Sequence, residues 1–504
     1  MLDLLNHAGP AFAFIIQLPT LGILLLGIIL GILLGALPGF GSSQSMALLF
    51  PMTFAMSPEH AILFFIAVYS AAEYGGSVPA ILIRTPGTPA QAVTVLDGYA
   101  MTRKGLAGKA LKISLISGVL GGLISTMIFI VGATSLAEIG LQFGPGEMFA
   151  LGIFGLSIIG TFFGKSPAKG FLAAGIGLMM GTIGSSGFGG LRFTFDQGYL
   201  MDGLPLIVVV IGLLAAPEGF RLLVDHRKTI EPTIATVDAE ELKEKNKITS
   251  LDIRRLIPTW IRCSLIGTAI GIIPGAGASV GSLVAYNEEK RWSKRGDQFG
   301  TGVEEGLAAP EISNNSVVAG TLVPSLTLGI PGSGAAAILL GVLITKGVVP
   351  GPMLFEEQPQ FIMTVFLGLI VGNFIMLAIG LIGARSFAMV AKIPRRILGP
   401  FVMILIVIGT YAYANYGAHV VMALVIGAIA YYFDKLSIPA VPIVLAFVMG
   451  PIIELNMNRA MTIHAGDMMV VLTRPITVTI LLASLATIYF GISRTRKDRL
   501  IEED

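Results

Sequence analysis

Two clusters of glycine and proline, each present twice, carry most of the chemistry this sequence can offer. Gly35-Ala-Leu-Pro38-Gly39-Phe-Gly41-Ser42-Ser43 returns as Gly271-Ile-Ile-Pro274-Gly275-Ala-Gly277-Ala-Ser279. Downstream, Pro79 followed by Pro86-Gly87-Thr88 is answered at the same spacing by Pro324 followed by Pro331-Gly332-Ser333. Proline removes a backbone donor and glycine admits unusual dihedrals, so each cluster should end one helix and release its last carbonyls. Ser42, Ser43 and Ser279 then stand where a hydroxyl caps the next helix, leaving the other amides and the positive dipole end to face a ligand. A carboxylate suits such a terminus. The released carbonyls of Leu37 and Ile273 are hard oxygen donors of the kind that coordinate Na⁺, the one metal these clusters would take. Thr85-Pro86-Gly87-Thr88 and Ile330-Pro331-Gly332-Ser333 repeat the arrangement, which makes Gly39, Gly41, Ser42, Ser43, Thr85, Pro86, Gly87, Thr88, Gly275, Gly277, Ser279, Pro331, Gly332 and Ser333 substrate-binding candidates.

Intramembrane ionisable and amide side chains near the breaks extend this set, because they are costly to bury and tend to be functional. Glu73, eleven residues before Arg84, shares its helix face and either pairs with it or serves ion coupling. Asn314 and Asn315 precede the second-half break and offer amide oxygens and donors without charge to substrate or ion.

Two enzyme motifs compete. Gly277-Ala-Ser279-Val-Gly281 fits a nucleophile elbow, which would make the protein an intramembrane serine hydrolase. Its first-half counterpart, Gly41-Ser-Ser43-Gln-Ser45, lacks the last glycine, and none of the five histidines lies in either motif. Ile159-Gly-Thr-Phe-Phe-Gly164-Lys165-Ser166 lacks the first glycine of a phosphate loop, so an ion gradient rather than ATP is the expected energy source. An ion channel with the glycine clusters as filter loops is the other alternative; filters usually arise from oligomer symmetry, whereas this chain holds its own pair.

These residues must be positioned by membrane helices. The 504 residues are 54% hydrophobic and 13% charged, with a mean hydropathy of +0.83, far from a soluble domain's composition. Runs such as 18–37, 111–133, 204–224 and 361–384 each match the ~20 residues that cross a bilayer core. In lipid the backbone must pair internally, so an all-α polytopic fold is expected. The single cysteine, Cys263, excludes an intrachain disulfide and a cysteine-rich metal site. Basic residues scattered through short loops make no nucleic-acid stripe, and no cleavable signal peptide is apparent.

The basic loops 84–112, 165–169, 225–258, 287–311, 385–396 and 494–499 are expected inside, by the excess of Lys and Arg in short cytoplasmic loops. The N-terminus then lies outside and the C-terminus inside. Both segments carrying the first cluster leave and return on one side as re-entrant hairpins, from opposite faces. The expectation is two inverted repeats, each with a hairpin and a broken helix, with about 11 crossings plus 2 hairpins in all. Their bounds are 1–224 and 258–493, joined by a cytoplasmic linker at 225–257 and followed by a tail at 494–504; 238–245 reads as a short surface helix.

The sequence resembles the large membrane subunit of the tripartite tricarboxylate transporter family. The resemblance is carried by Gly35 to Ser43, Tyr74 to Thr88, Leu96-Asp97-Gly98-Tyr99-Ala-Met101, Pro274 to Ser279, Ala309-Pro-Glu311-Ile-Ser-Asn314-Asn315, Leu328 to Ser333 and Pro350-Gly-Pro352. It implies the transport subunit of a bacterial inner-membrane secondary transporter, partnered by a small four-helix membrane subunit and a periplasmic solute-binding protein. That protein would deliver a di- or tricarboxylate such as citrate, with uptake driven by Na⁺ or H⁺ and no other cofactor. Arg84 departs from the family pattern, which tends to an uncharged polar residue there. Two hairpins of opposite orientation lead to the expectation of an elevator motion, the hairpins and broken helices sliding as one block against a scaffold.

Overall fold

The computed structural model describes residues 4, 6–37, 39–162, 166–186, 189–224, 246–390, 393 and 395–503. Pro38, most of the linker and the segment read as a surface helix at 238–245 lie outside the described residues. The chain runs through α1 (Ala8–Ile15), α2 (Leu18–Gly35), α3 (Ser42–Leu49), α4 (Pro58–Ile83), α5 (Thr94–Arg103), α6 (Ala107–Leu141), α7 (Pro145–Phe162), α8 (Pro167–Gly181) and α9 (Leu206–Val224, with a π-helical turn at Ile211–Ala215). It continues with α10 (Ser250–Ile272), α11 (Gly277–Trp292), α12 (Glu304–Leu328), α13 (Gly334–Thr345), α14 (Met353–Glu357), α15 (Pro359–Val390), α16 (Arg395–Ala414), α17 (Gly417–Lys435), α18 (Ala440–Ile463), α19 (Met468–Thr473) and α20 (Pro475–Glu503). A two-residue ladder, Gly184–Ser185 against Leu191–Arg192, interrupts an otherwise helical fold.

Among the described residues, eight helices are long and apolar enough to cross a membrane: α2, α4, α6, α9, α15, α16, α17 and α18. Three shorter apolar helices, at Pro145–Thr161, Gly334–Thr345 and Pro475–Gly491, add to them. The chain is a multi-pass helical membrane protein. α10 starts at Ser250, upstream of the expected repeat boundary, and carries Pro258 within it.

Glycines set how the central helices meet. Gly27, Gly31 and Gly35 of α2 lie in turn against Phe64, Val68 and Ala72 of α4, so the two helices run parallel. The approach is close enough that a Cβ on Gly35 would sit 2.3 Å from the Ala72 carbonyl oxygen. In the second half, Gly267 and Gly271 of α10 lie against Ser313 and Val317 of α12, again parallel, and a Cβ on Gly267 would sit 2.4 Å from the Ser313 oxygen. Small residues at four-residue spacing allow such backbone contact in lipid, where packing rather than water drives association.

α4 and α12 each continue through an internal proline, Pro79 and Pro324, and each ends on a left-handed residue, Arg84 at φ 58° and Gly329 at φ 71°. The next amides close on the proline carbonyls at the same distance, Thr85 N–H to Pro79 O and Ile330 N–H to Pro324 O, both 3.2 Å. α4 and α12 cross in opposite senses, Ser77 meeting Glu311 while Tyr69 meets Thr321. α6 lies along α12, with Ser125 donating to the Ser316 carbonyl, and α15 packs on α6 through an edge-on Phe129–Phe366 pair.

Candidate functional site

The breaks meet around the middle of α4. The Ser42 hydroxyl, at the start of α3, donates to Glu73 Oε1 at 2.6 Å, and the Gln91 amide donates to the Glu73 backbone carbonyl at 2.6 Å. Gln91 in turn accepts from the Thr88 amide at 3.1 Å and from the Thr88 hydroxyl, a reciprocal cap on the 3₁₀ turn Pro89–Ala92. One turn before Glu73, the Tyr69 hydroxyl shares a hydrogen bond of 3.1 Å with Ser333, which caps α13 by accepting from the Ala336 amide. The fourth break joins through the backbone, Gly275 N–H donating to Gly332 O at 3.0 Å.

The two copies also pack alike. A Cβ on Gly87 would lie 2.5 Å from Gly35 O, and one on Gly332 would lie 3.0 Å from Gly271 O. Each second cluster is thus seated on the carbonyl that opens the first cluster of its own half. Bare backbone at Gly87 and Gly332 is what permits the seat. Gly39 and Gly275 adopt the same left-handed conformation, φ 86° and 82°, and a Cβ on Gly334 would meet the Ser43 hydroxyl.

Capping by the hydroxyls is found at Thr88 and Ser333, but not in the first cluster. Gly41 and Ala276, which precede α3 and α11, have no side chain able to cap, and the Ser42 hydroxyl is engaged by the Glu73 carboxylate. Ser279 is exposed on α11 and stands apart from the buried cluster. Its elbow motif joins two helices, not a strand and a helix, and among the described residues no histidine bonds to it. Thr85 and Pro86 are half-buried, and the Thr85 hydroxyl turns back to the Ile83 carbonyl. The carbonyls of Leu37 and Ile273 each accept one local amide, from Phe40 and Ala276, and keep a second lone pair. Arg84 points to the exposed side, and Glu73 is met by a hydroxyl rather than by that guanidinium.

Several buried polar groups that lack a hydrogen bond fall on α4 and α12, namely Glu73 Oε2, both amide atoms of Asn314, both of Asn315, the Ser313 hydroxyl and the Tyr74 hydroxyl; others, such as Glu147 Oε2, Asn373 Oδ1 and Asn458 Oδ1, lie on other helices. Asn314 lies beside Glu73, and Asn315 sits over Gly118 of α6, whose missing side chain leaves room for it. Native proteins pair nearly all such atoms, so this set is a place prepared for something else.

Sequence reasoning left several residues without an assigned role. Glu311 is fully buried and accepts from Ser77 and Ser114, each at 2.6 Å, and from Thr94. Asp97 is a clasp: it accepts the Gly300, Gly302 and Val303 amides and the Tyr286 hydroxyl, fixing the loop that starts α12. Both stand in segments that carried the family resemblance, so the signal was present without its chemistry. At one end of the bundle Lys109 bridges Asp252 and Glu304, each at 3.0 Å, and Arg295 pairs with Glu304 at 2.8 Å and with Glu305. Burial works to raise the Glu304 and Asp252 carboxyls; backbone amides, Lys109 and, for Glu304, Arg295 outweigh it and hold both below the usual carboxylate range.

Interrupted helices that gather unpaired amides and a carboxylate inside an apolar bundle define a membrane carrier of polar solutes. The chain belongs to the tripartite tricarboxylate transporter TctA family, whose model matches residues 21–445. It is 32% identical, over the full length of both chains, to an uncharacterized 52.8 kDa protein of Agrobacterium vitis from the TAR-I ttuC' 3' region. A second uncharacterized protein of that organism, from the TAR-II ttuC' 3' region, is 32% identical over 47% of this chain and all of its own length. No solved structure matches.

Proposed function

We propose that this chain is the transmembrane subunit of a binding-protein-dependent secondary transporter of a bacterial inner membrane, importing a di- or tricarboxylate of the citrate kind with Na⁺ or H⁺. The observation that carries the reading is the buried, unpaired polar atoms of Glu73 and Asn314 beside the meeting helix breaks. Helix starts at Ser42, Ser43, Gly87, Thr88, Gly332 and Ser333 supply amides and hydroxyls for the substrate carboxylates, with Gly39, Gly41, Thr85, Pro86, Gly275, Gly277 and Pro331 shaping the turns that present them. Glu73 Oε2, Asn314 Oδ1 and the Leu37 and Ile273 carbonyls are hard oxygens of the type Na⁺ takes.

The architecture proposed with it is a pair of inverted repeats, 1–224 and 258–493. In each, a short helix joins two parallel helices, which supports reading α2–α3 and α10–α11 as re-entrant hairpins. The paired left-handed ends at Arg84 and Gly329 and the opposed course of α4 and α12 support the inversion. The N-terminus faces the periplasm and the C-terminus the cytoplasm. A small four-helix membrane subunit and a periplasmic solute-binding protein complete the transporter, and the hairpins with the broken ends of α4 and α12 move as one block.

The test is uptake of labelled di- and tricarboxylates into proteoliposomes that hold this subunit with its two partners, under a Na⁺ gradient and then a pH gradient. Accumulation that needs one gradient and is lost in Gly275→Val is expected. No accumulation of any of them by folded, complete transporter overturns the reading.

A further inference from the structure

Glu311 is a carboxyl group that makes no ion pair among the described residues and has hydroxyls of three neighbouring helices around it. Both of its oxygens are met by hydroxyls: Ser77 of α4 and Ser114 of α6 on Oε2, and Thr94 of α5 on Oε1. We propose that Glu311 is a proton-binding site whose occupancy sets how tightly α12 is tied to α4, α5 and α6. The inference rests on this packing and stands apart from any particular substrate.

An ionised carboxylate buried in hydrocarbon without a counter-charge is strongly disfavoured. Three charge-assisted hydrogen bonds return a stabilisation of the same order. Burial and the three hydrogen bonds therefore pull the group in opposite directions, toward holding a proton and toward releasing it. The surrounding charges do not tip this balance toward the anion. On α4 stand Glu73, whose charge repels that of Glu311, and the neutral phenols Tyr69 and Tyr74. Asp97 of α5 is held by its clasp, Lys109 of α6 by Asp252 and Glu304, and Lys112 by the Asn246 carbonyl. On α10 and α11, Arg262 is taken by Glu289 at 2.7 Å, while Cys263 and Tyr286 carry no charge when protonated. A metal cation is the poorer fit, since contacts of 2.6 Å are hydrogen bonds and an ion placed between these oxygens would have to open all three.

The step balances as carboxylate plus one proton from water giving the carboxylic acid. The new O–H must donate, so one of the three hydroxyls changes from donor to acceptor. Ser114 has an alternative in the carbonyl one turn back on its own helix, the back-bond that serine commonly makes, whereas the carbonyl so placed for Ser77, Glu73 O, already accepts from Gln91. Protonation thus leaves the bonds between helices neutral, and weaker, where they had been charge-assisted. Deprotonation restores the ties.

Infrared pH titration of the full-length chain in lipid nanodiscs, without substrate, tests this directly. A protonated-carboxyl carbonyl band that titrates reversibly while the protein stays folded, and that is missing from Glu311→Gln, is expected. Ser114→Ala removes a donor to the anion and should move the midpoint upward by about one pH unit, a tenfold change in proton affinity. Hydrogen exchange in α6 and α12 should be faster on the acid side of the midpoint. If Glu311→Gln does not fold, the midpoint shift in Ser77→Ala and Ser114→Ala decides. A band unaltered by Glu311→Gln, no titrating band in the native chain, or a midpoint unmoved by both serine variants overturns the proposal. Because no substrate enters, a failed uptake assay and a failed titration are separate results.

Discussion

At the scale of single residues, Glu73 and Arg84 separate what a sequence reveals from what it hides. Both were legible as unusual: an acid inside an apolar run, and a cation at a helix break. Their relation was not, because the Glu73 partner is Ser42, which lies 31 positions away and arrives through the α3 turn. Replacing Glu73 with Gln keeps the shape and removes the charge, so ion-dependent uptake should fall by at least about tenfold, equivalent to ~1.4 kcal/mol, with unchanged chromatographic behaviour. Wild-type uptake by this variant would remove Glu73 from the site. Arg84 holds φ 58° where the matching residue of the other half is glycine. Arg84→Gly should therefore leave thermal stability unchanged or raise it by up to about 1 kcal/mol, the relief of left-handed strain offset by a looser unfolded chain. A marked loss of stability would show that the guanidinium has a structural partner.

Among helices, the glycine ladders explain why the breaks could be foreseen and their convergence could not. Proline and glycine announce a helix end in any context, whereas the seat of Gly87 on Gly35 depends on α2 and α4 running parallel, a long-range fact. Gly121 and Gly122 of α6 pack closely on Ile312 of α12 and Asn373 of α15, and Gly118 makes the room Asn315 occupies. Substitution should discriminate sharply along one helix: Gly35→Ala, facing the Ala72 backbone at 2.3 Å, should destabilise by about 1–3 kcal/mol. Gly22→Ala, with nothing within 4 Å, should be neutral or stabilising by up to about 1 kcal/mol. Thermal shift assays in one detergent read both. The ionic cluster at Lys109 belongs to this scale too, since it joins the starts of α6, α10 and α12. Asp252 and Glu304 have folded values below their unfolded ones, so their contribution is complete above the ordinary carboxylate pKa of about 4 and is lost as pH falls through the lower folded value. Acid unfolding of Lys109→Met should begin at higher pH than that of the native chain.

For the molecule as a whole, composition disclosed a helical membrane protein, and the duplicated clusters are the sequence basis for the two halves proposed above. Length and composition alone do not mark α10 and α12 as spans, because both are polar, although α12 is almost wholly enclosed. Movement of the hairpins as one block is testable on this chain because its single cysteine, Cys263, is buried and replaceable. In a Cys263→Ala background, paired cysteines between α3 and α17 or between α11 and α15 should crosslink in one facing state only. Equal crosslinking in both states would exclude a sliding block.

The polarity of α12 has a consequence for biogenesis. A helix bearing Glu311, Asn314 and Asn315 that does not qualify as a span has little reason to leave the translocon for lipid alone. Its hydroxyl and glycine partners on α4, α5 and α6 belong to the half synthesised earlier, so they are already embedded when α12 emerges. The expected outcome is that insertion of α12 depends on the segments made before it. A chain beginning at Ser250 and expressed by itself should leave α12 accessible to membrane-impermeant reagents, and co-expression of the first 224 residues should shield it again.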